Sequence, residues 1–428
     1  MTRGSLGVIA DDFTGATDVA AALRRAGLET LLFFGGRPPE APLPPHDAIV
    51  IALKTRSIPA AEAVATTLRS AEWLEAVGVE QFYVKYCSTF DSTPRGNIGP
   101  VLDALSARLG AHEVVTTPSS PEHGRTVFQG HLFVHDTLLS ESPMRSHPLT
   151  PMTDSSVPRL LAAQSVNDVE LVSRDALRRG ELPRLLEERR VRGTRYLVTD
   201  AVDDDDLLAI ATAASATRLL AGAAGLAGAL ASVRAEGADR AGTSPASGPA
   251  RAHRSAVLAG SCSRRTLEQL AHYLAGNPGH RVAARHGATS DALAGEALTW
   301  FDEQDAAARP VIYSSLPSLE LQRVQQELGA RSAAELFETT LGEIAVGLRA
   351  RGVDLLVVAG GETSGAVVEA LGVTGVRIGS EAAPGVPWIH PIDEPDLTLL
   401  LKSGNFGAED FFSTALDASR GGSEAGAR

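Results

Sequence analysis

The chain has 428 residues, 44% of them hydrophobic and 21% charged, which suits about two or three globular domains with buried cores. Its formal net charge of −13 disfavours a basic surface for nucleic acid. Cys87 and Cys262 are too few and too far apart for a disulfide framework or a usual zinc site. With no signal-peptide pattern and no apolar run long enough to span a bilayer, we expect a cytoplasmic protein with neither a membrane nor a nucleic-acid partner.

Apolar stretches alternate with amphipathic ones along residues 1–234, a pattern typical of βαβ units. The strands predicted in this part are, in chain order, 6–10, 30–34, 48–53, 81–86, 113–117, 170–172 and 196–199. Helices are predicted between several of them, for example over 59–77 and 98–109. The pattern therefore predicts an α/β domain with a mostly parallel sheet.

Residues 235–254 are rich in Ala, Gly, Ser and Pro without an apolar period, so they read as an interdomain linker. The alternation then resumes, with strands predicted over 256–259, 311–314 and 354–358 and helices over 264–274, near 319–348 and over about 364–371. We expect a second α/β domain over 255–420, a tail over 421–428, and an active site in the cleft between the two domains.

Charged residues follow the predicted strands of the first domain. Asp11 and Asp12 come directly after the first strand, where open α/β sheets bind ligands, although a helix cap with a surface charge would look the same. Lys54 and Arg56 follow the third strand and could hold a carboxylate, unless they form a solvated basic turn.

Two longer polar loops follow later strands of this domain. Residues 83–97 contain Lys85, Ser88 and Asp91 in a run that is costly to order without a ligand, and we interpret Cys87 within it as a small buried residue. The loop over 118–126 contributes Arg125, together with a histidine that is either a substrate contact or a surface group.

Small residues follow three predicted strands of the second domain. The chain turns after one strand at Gly360, Gly361, Glu362 and Thr363, where Thr363 or the next serine can cap the following helix. The other two turns contain Ser261 with Ser263, after the strand 256–259, and Gly404, after the apolar stretch 397–401. Backbone N–H groups in such turns can bind phosphates, although a tight strand–helix turn is the alternative. The P-loop pattern and the dinucleotide G-x-G-x-x-G pattern are both missing from the sequence.

Taken in order, these motifs resemble the four-carbon acid sugar kinase family over nearly the whole chain. The motifs are IADDFTGATDVA, ALKTRS, KYCSTFDSTPRGNIGPV, GRTVFQGHLFV, SPMRSHPLTPMTD, LAGSCS, VVAGGETSGAVVEALGV and LKSGNFG. Within the family, the combination is most similar to members that phosphorylate 3-oxo-tetronate.

The resemblance implies an acid-sugar-binding N-terminal domain and an ATP-binding C-terminal domain, with transfer of the γ-phosphoryl group to the 4-hydroxyl in the presence of Mg²⁺. It implies acid-sugar contacts at Asp11, Asp12, Lys54, Arg56, the run 85–91 and Arg125. It implies ATP contacts at Ser261 or Ser263, at 360–363 and at Gly404.

Some residues depart from the expected family pattern. The loop over 118–125 has Ser119, Ser120 and His123 where smaller-apolar, Phe and Asn types are expected, and Ala224 replaces an expected serine. These departures weaken the assignment of the substrate more than the assignment of the kinase activity. The alternatives are a threonate or erythronate kinase and a non-catalytic sugar-acid sensor.

A mechanism follows from the resemblance and the residue types. Lys54 and Arg56 would anchor the substrate carboxylate, and Asp12 or Asp11 would accept the hydroxyl proton or hold Mg²⁺. Chains of this size commonly pair, so a homodimer is possible.

Overall fold

The computed structural model describes residues 5–35, 42–147, 150–192, 195–236 and 253–419. They divide into two compact units, Met1–Thr243 and Ser244–Arg428. Strands and helices alternate in both, which confirms the predicted α/β fold class. Residues 237–252 of the predicted linker and the whole predicted tail lie outside the described residues. None of the helices in the described ranges combines the length and the apolarity that crossing a membrane requires.

The first unit begins with a strand and then alternates helices and strands. Its elements are β1 (Ser5–Ala10), α1 (Phe13–Arg25), β2 (Thr30–Phe34), β3 (Ala48–Ala52), α2 (Ala60–Ala76), β4 (Val79–Lys85), α3 (Ile98–Leu109), β5 (Glu113–Thr117), β6 (Arg125–Phe128), β7 (His131–Val134), β8 (Thr137–Leu138), α4 (Val157–Ala162), β9 (Asp168–Val172), α5 (Arg174–Arg178), α6 (Leu182–Arg192), β10 (Arg195–Thr199), α7 (Asp204–Ala213), β11 (Leu219–Gly222) and α8 (Ala224–Glu236).

The main sheet of the first unit is parallel and runs in the order β2-β3-β1-β4-β11-β5-β10-β9. Residues on both faces of β1 and β3 are buried, which explains why these strands are continuous apolar runs rather than alternating ones. Because β1 lies between β3 and β4, the segments that follow these three strands emerge next to one another.

Two features of this unit were not predicted. Strands β6, β7 and β8 form a small antiparallel sheet of short segments with little apolar signal. The apolar stretch over 219–231 is divided into β11 and α8 at Gly222, whose φ is +153°. A Cβ at Gly222 would lie 2.3 Å from the carbonyl oxygen of Thr117, so only glycine fits this close approach of two strand ends.

The second unit repeats the alternation and ends with a hairpin and a helix. Its elements are β12 (Ser255–Ala259), α9 (Arg264–Leu274), β13 (Gly279–Arg281), α10 (Ser290–Asp302), β14 (Val311–Tyr313), α11 (Ser318–Leu328), α12 (Ala330–Ala350), β15 (Leu355–Ala359), α13 (Gly361–Ala370), β16 (Gly375–Ala383), β17 (Val386–Pro391), β18 (Thr398–Lys402) and α14 (Phe411–Ala418).

Strands of the second unit run in the order β13-β14-β12-β15-β18-β17-β16. The first five are parallel, whereas β17 is antiparallel to both β18 and β16. Sequence patterns did not predict this hairpin, because β17 contains two prolines and β16 has no clear alternation. Trp388 of β17 is buried in the core, where Tyr273 and Phe412 pack edge to face with ring centroids 5.8 Å apart.

Candidate active site

The carboxyl ends of β3, β1 and β4 bring three polar segments of the first unit together. The N–H of Thr55 donates to the carbonyl oxygen of Asp11 at 2.8 Å, and the N–H of Asp11 donates to that of Lys85 at 3.1 Å. These bonds fix the segment after β1 between its two neighbours. Asp11, Asp12, Arg56 and Lys85 therefore belong to one site.

Arg56 contacts both carboxylates of this site. Its Nε donates to Asp11 Oδ2 at 2.9 Å, and its Nη2 donates to Asp11 Oδ1 at 2.8 Å and to Asp12 Oδ1 at 2.7 Å. Asp12 Oδ1 also accepts the N–H of Gly15 at 2.8 Å and so caps α1. Among the described residues, none donates to Asp12 Oδ2. Asp12 is therefore the carboxylate with an oxygen available to a ligand.

The pKa values of both Asp11 and Arg56 are raised in the folded protein. Burial raises the pKa of Asp11 and the charge of Asp12 raises it further, while Arg56 opposes the shift. Burial lowers the pKa of Arg56, but the adjacent carboxylates outweigh this effect and the pKa lies above its usual value. One guanidinium already engaged by two carboxyl groups has little positive charge to spare for a further anion. An anionic ligand here needs further positive groups.

Lys85 and Lys54 differ in their surroundings. Lys85, at the end of β4, is only 3% exposed, and its Nζ donates to the carbonyl oxygen of Tyr86 at 3.0 Å. A Cβ at Gly15 would lie 2.9 Å from Lys85 Nζ, so the ammonium group lies against the first turn of α1. Lys54 is exposed, and its Nζ lies 5.0 Å from the centre of the Phe13 ring. Lys85 is thus the buried cation of the site.

The segment after β4 has an unusual backbone. Phe90 and Asp91 have positive φ values of 64° and 42°, which is rare for residues other than glycine and is often found at functional sites. Thr89 Oγ1 donates to Asp91 Oδ1 at 2.7 Å and lies 3.0 Å from Cys87 Sγ. Ser88 is partly buried in the same segment.

Cys87 is partly buried, close to its predicted placement as a small buried residue. Burial raises the pKa of its thiol to about 11, against the charge of Arg56. The thiol therefore stays protonated at neutral pH, which makes Cys87 a poor nucleophile.

Two buried polar groups that have no partner among the described residues lie near the loop that follows β5. Arg125 Nη1 donates to the carbonyl oxygen of His123, but Arg125 Nε is buried without a partner among the described residues. Asp18 Oδ1, on α1, is likewise buried and unpaired in that part of the chain. Burial raises the pKa of Asp18, although the charges of Lys85 and His123 oppose the shift. A polar ligand could satisfy these groups.

Asp18 was not among the predicted site residues, although it ends the motif that contains Asp11 and Asp12. Together with Glu122 and His123 it offers ligand atoms that lie within 4.8 Å of one another. Arg25 Nη1 already donates to Glu122 Oε2 at 2.9 Å. A site that includes an imidazole suits transition metals better than Mg²⁺.

In the second unit, the three predicted turns meet at one edge of the sheet. They follow β12, β15 and β18, which are adjacent and parallel. The N–H of Gly260 donates to the carbonyl oxygen of Ala359 at 3.0 Å, and that of Gly360 donates to Lys402 at 2.9 Å. The bonds hold the turns side by side.

Helix α13 begins at Gly361, earlier than predicted. Its N-cap is Gly360, and no side chain caps it, so the expected cap at Thr363 or Ser364 was wrong: both residues lie within the first turn. The reason is that Gly360, with φ +132°, can end the strand and start the helix without a spacer residue. The N–H groups of residues 361–363 have no acceptor among the described residues and remain available to an anion.

These N–H groups adjoin a cavity of about 380 Å³ that lies within the second unit. Its polar end is formed by Gly260, Ser261 and residues 360–363. Its other wall is largely apolar and comes from α11 and α12, with Leu321, Phe337 and Leu341 among the lining residues. The volume and the division into a polar and an apolar end suit a small organic anion. The apolar wall was not predicted, because α11 and α12 carry no motif.

Ser263 and Gly404 lie just outside this cavity and contact Ser261. Ser263 Oγ donates to the carbonyl oxygen of Gly404 at 2.7 Å, and it accepts from the N–H of Thr266 as the cap of α9. A Cβ at Gly404 would lie 2.2 Å from Ser261 Oγ. These two residues therefore hold Ser261 in place rather than line the cavity.

Comparisons with known proteins agree with this division. A family model for a sugar-binding N-terminal domain matches residues 6–230, and one for a nucleotide-binding C-terminal domain matches residues 256–412. A 3-oxo-tetronate kinase of Burkholderia multivorans is 46% identical over 420 residues, covering 97% of this chain and 98% of that protein. Another, of Cupriavidus necator, is 47% identical and covers 97% of each chain.

Two crystal structures are also similar. A Haemophilus influenzae protein has a TM-score of 0.83 and 40% identity, covering 96% of this chain and 99% of its own. A Salmonella typhimurium protein, described as a tRNA synthase, has a TM-score of 0.87 and 41% identity, covering 96% and 98%. The chain therefore belongs to the four-carbon acid sugar kinase family and is a carbohydrate kinase.

Proposed function

We propose that the chain transfers the γ-phosphoryl group of ATP to the 4-hydroxyl of 3-oxo-tetronate, giving 3-oxo-tetronate 4-phosphate, and that Mg²⁺ assists. The proposal that the second unit binds ATP rests on the start of α13, which no side chain caps. Three N–H groups there adjoin a cavity with an apolar wall. The similarity to 3-oxo-tetronate kinases over 97% of this chain supports the choice of acid.

The residues of the second unit fit a triphosphate. Gly360 has no Cβ, and a Cβ there would lie 3.1 Å from the backbone nitrogen of Ser261, so the glycine lets the two turns lie close to each other. We propose that the N–H groups of Gly361, Glu362 and Thr363 bind phosphate oxygens. Ser261 lines the same end of the cavity, and Ser263 with Gly404 keeps it in position. The apolar wall of α11 and α12 would receive the nucleobase.

In the first unit we propose that Asp12 is the general base. Its Oδ2 is the carboxylate oxygen that no described residue occupies, and Arg56 with Gly15 fixes the side chain through Oδ1. Asp11 accepts two hydrogen bonds from Arg56, so it acts by holding that guanidinium. Arg56, first expected to anchor the substrate, is therefore better suited to positioning the two carboxylates.

The substrate carboxylate then needs other cations. We propose Lys85, which uses one of its donors on Tyr86, and Arg125, whose buried Nε is unpaired in the described part of the chain. Lys54, Ser88 and Asp91 would form outer contacts to the acid sugar. Asp18 Oδ1, also unpaired among described residues, can accept a substrate hydroxyl.

Carboxylate oxygens are suitable ligands for Mg²⁺. Glu362 lies in the cavity wall beside the proposed phosphate site, so its carboxylate would hold the ion together with phosphate oxygens. When bound, Mg²⁺ neutralises charge on the transferring phosphoryl group.

Phosphoryl transfer depends mainly on positioning and charge neutralisation, because it asks little covalent chemistry of the protein. Orientation alone can lower a barrier by about 7–11 kcal/mol in favourable cases. The proposal requires the hydroxyl held near Asp12 to meet the γ-phosphate held at α13 during turnover. An ordered Asp12 and a fixed start of α13 are the features that would supply this orientation.

A coupled ADP-release assay tests the substrate. Purified protein with ATP and Mg²⁺ is given 3-oxo-tetronate, D-threonate, L-threonate or D-erythronate, and kcat/KM is compared. We expect 3-oxo-tetronate to be preferred by at least about tenfold, as one well-placed hydrogen bond can provide. Preference for threonate or erythronate would identify a sibling kinase. ADP release with none of the acids, despite tight acid binding, would favour a sensor.

Two other expectations remain proposals. The name of the Salmonella protein suggests tRNA, but the net charge of −13 here makes an RNA partner a poor match. A homodimer stays a prediction, which analytical ultracentrifugation of the full chain would test.

A further inference from the structure

Lys402, the last residue of β18, is a buried cation in the second unit. The strand that carries it is buried throughout, and Lys402 itself is 1% exposed. Lysine is almost never fully buried without a partner, because an ammonium group loses its hydration there. Lys402 lies in the motif LKSGNFG, but no role was predicted for its side chain and the proposed mechanism does not use it.

The ammonium group donates to uncharged oxygens. Lys402 Nζ lies 3.2 Å from Thr266 Oγ1, 3.1 Å from the carbonyl oxygen of Ser403 and 3.1 Å from that of Gly404. The carbonyl oxygen of Gly404 also accepts from Ser263 Oγ at 2.7 Å and from Thr266 Oγ1 at 2.9 Å. Lys402 therefore ties the start of α9 to the turn after β18.

The surroundings of Lys402 provide no compensating negative charge among the described residues. From α9 the charged neighbour is Arg265, which with burial lowers the pKa of Lys402 to about 8, burial being the larger cause. From α14 the ring of Phe412 faces it, with Nζ 5.9 Å from the centroid, and on β15 its partner is Ala359. No acidic side chain of the described residues therefore compensates the positive charge of Lys402.

The contacts of Lys402 lead to the proposed phosphate site. Its acceptor Gly404 lies against Ser261, and Ser261 lines the cavity together with residues 360–363. The N–H of Gly360 donates to the carbonyl oxygen of Lys402 itself. Lys402 thus adjoins two of the three turns, the Gly404 turn through its ammonium group and the Gly360 turn through its backbone carbonyl.

We propose that Lys402 is a positioning residue for the nucleotide phosphates, holding the Gly404 turn against Ser261 while its charge attracts the triphosphate through the turn. This inference rests on the proposed nucleotide site in the second unit. A bound polyanion favours the protonated amine, so nucleotide affinity is highest below the pKa of Lys402 and falls as the pH rises through it. A unit charge acting over about 10 Å at an effective dielectric constant of about 20 changes affinity roughly tenfold.

The test is calorimetric titration of the full chain with ATP and, separately, with adenosine between pH 7 and 9.5. The proteins are the wild type, Lys402→Arg, Lys402→Met and, as a control, Arg264→Met, which removes an exposed positive charge from α9. Circular dichroism melts check that each variant is folded.

We expect the Kd of the wild type for ATP to rise roughly tenfold over this pH range, with adenosine binding unchanged. Lys402→Arg should remove the pH dependence, because arginine stays charged, and Lys402→Met should bind ATP weakly at every pH. Arg264→Met should behave as the wild type.

Three results would overturn the inference. The first is ATP affinity in the wild type that does not vary with pH, a comparison that needs no variant. The second is equal loss of ATP and adenosine binding in Lys402→Met, which indicates a purely structural residue. The third is a wild type that binds no ATP, which would reject the proposed nucleotide site as well. The first two results would leave the proposed nucleotide site unaffected.

Discussion

Gly360→Ala tests the placement of the phosphate site at the start of α13. Gly360 has φ +132°, a region that side chains rarely adopt. A Cβ there would lie 2.9 Å from Thr363 Oγ1 and 3.1 Å from the backbone nitrogen of Ser261. The Thr363 hydroxyl and the backbone of the neighbouring turn at Ser261 must therefore shift to accommodate one methyl group.

Gly372 provides a matched control at the other end of the same helix. Its φ is +68°, but a Cβ would meet nothing within 4 Å. Gly372→Ala should cost about 1 kcal/mol of backbone strain alone. Gly360→Ala should cost about 2–3 kcal/mol in the free energy of unfolding, because strain and crowding act together.

Nucleotide affinity should separate the two variants more clearly. Displacing the N–H groups of α13 would lose at least one hydrogen bond to a charged phosphate, about 1.5–3 kcal/mol or about 10- to 100-fold in Kd. Calorimetry with ATP and urea unfolding measure both quantities. Equal ATP affinity in Gly360→Ala, Gly372→Ala and the wild type would refute the placement of phosphate at this turn.

Three further predictions concern the first unit. Asp12→Asn should still cap α1 but should lower kcat by about 10²–10⁴-fold with little change in melting temperature, and near-normal turnover would remove Asp12 from the chemistry. Burial raises the pKa of Cys87 from 9.0 to about 11. At pH 8, iodoacetamide should therefore modify Cys87 about 100-fold more slowly in the folded than in the urea-unfolded chain. Equal modification rates by mass spectrometry would contradict the burial of Cys87. Asp18→Asn should raise the melting temperature at pH 7. The pKa of Asp18 is raised in the folded protein, so its ionised form destabilises the fold above pH 3.8, the pKa expected in the unfolded chain. The gain in melting temperature should shrink as the pH is lowered towards 4. An Asp18→Asn variant less stable than the wild type at pH 7 would show that Asp18 makes more favourable contacts than its unpaired oxygen indicates.

Much of the fold follows from local patterns. Helices α3 and α9 have the predicted bounds, since polar residues precede each helix and the apolar period is regular. The three small-residue turns of the second unit were placed correctly after β12, β15 and β18, because strand and turn signals are both local.

What could not be predicted depends on contacts distant in sequence. The pairing of Arg56 with both Asp11 and Asp12 arises only once β3 lies beside β1. The burial of Lys402 depends on α9 and α14, which pack over a strand that looks merely apolar in the sequence. The antiparallel β16–β17 hairpin was likewise hidden, because prolines in β17 mask its strand signal.

Product analysis tests the central claim most directly. The protein is incubated with ATP, Mg²⁺ and 3-oxo-tetronate, and phosphorus–proton correlated NMR locates the transferred phosphate. We expect a single ester on the 4-hydroxyl, formed by the wild type and nearly lost in Asp12→Asn. Release of inorganic phosphate without any ester, or an ester at another oxygen, would contradict a site that presents the 4-hydroxyl to the nucleotide.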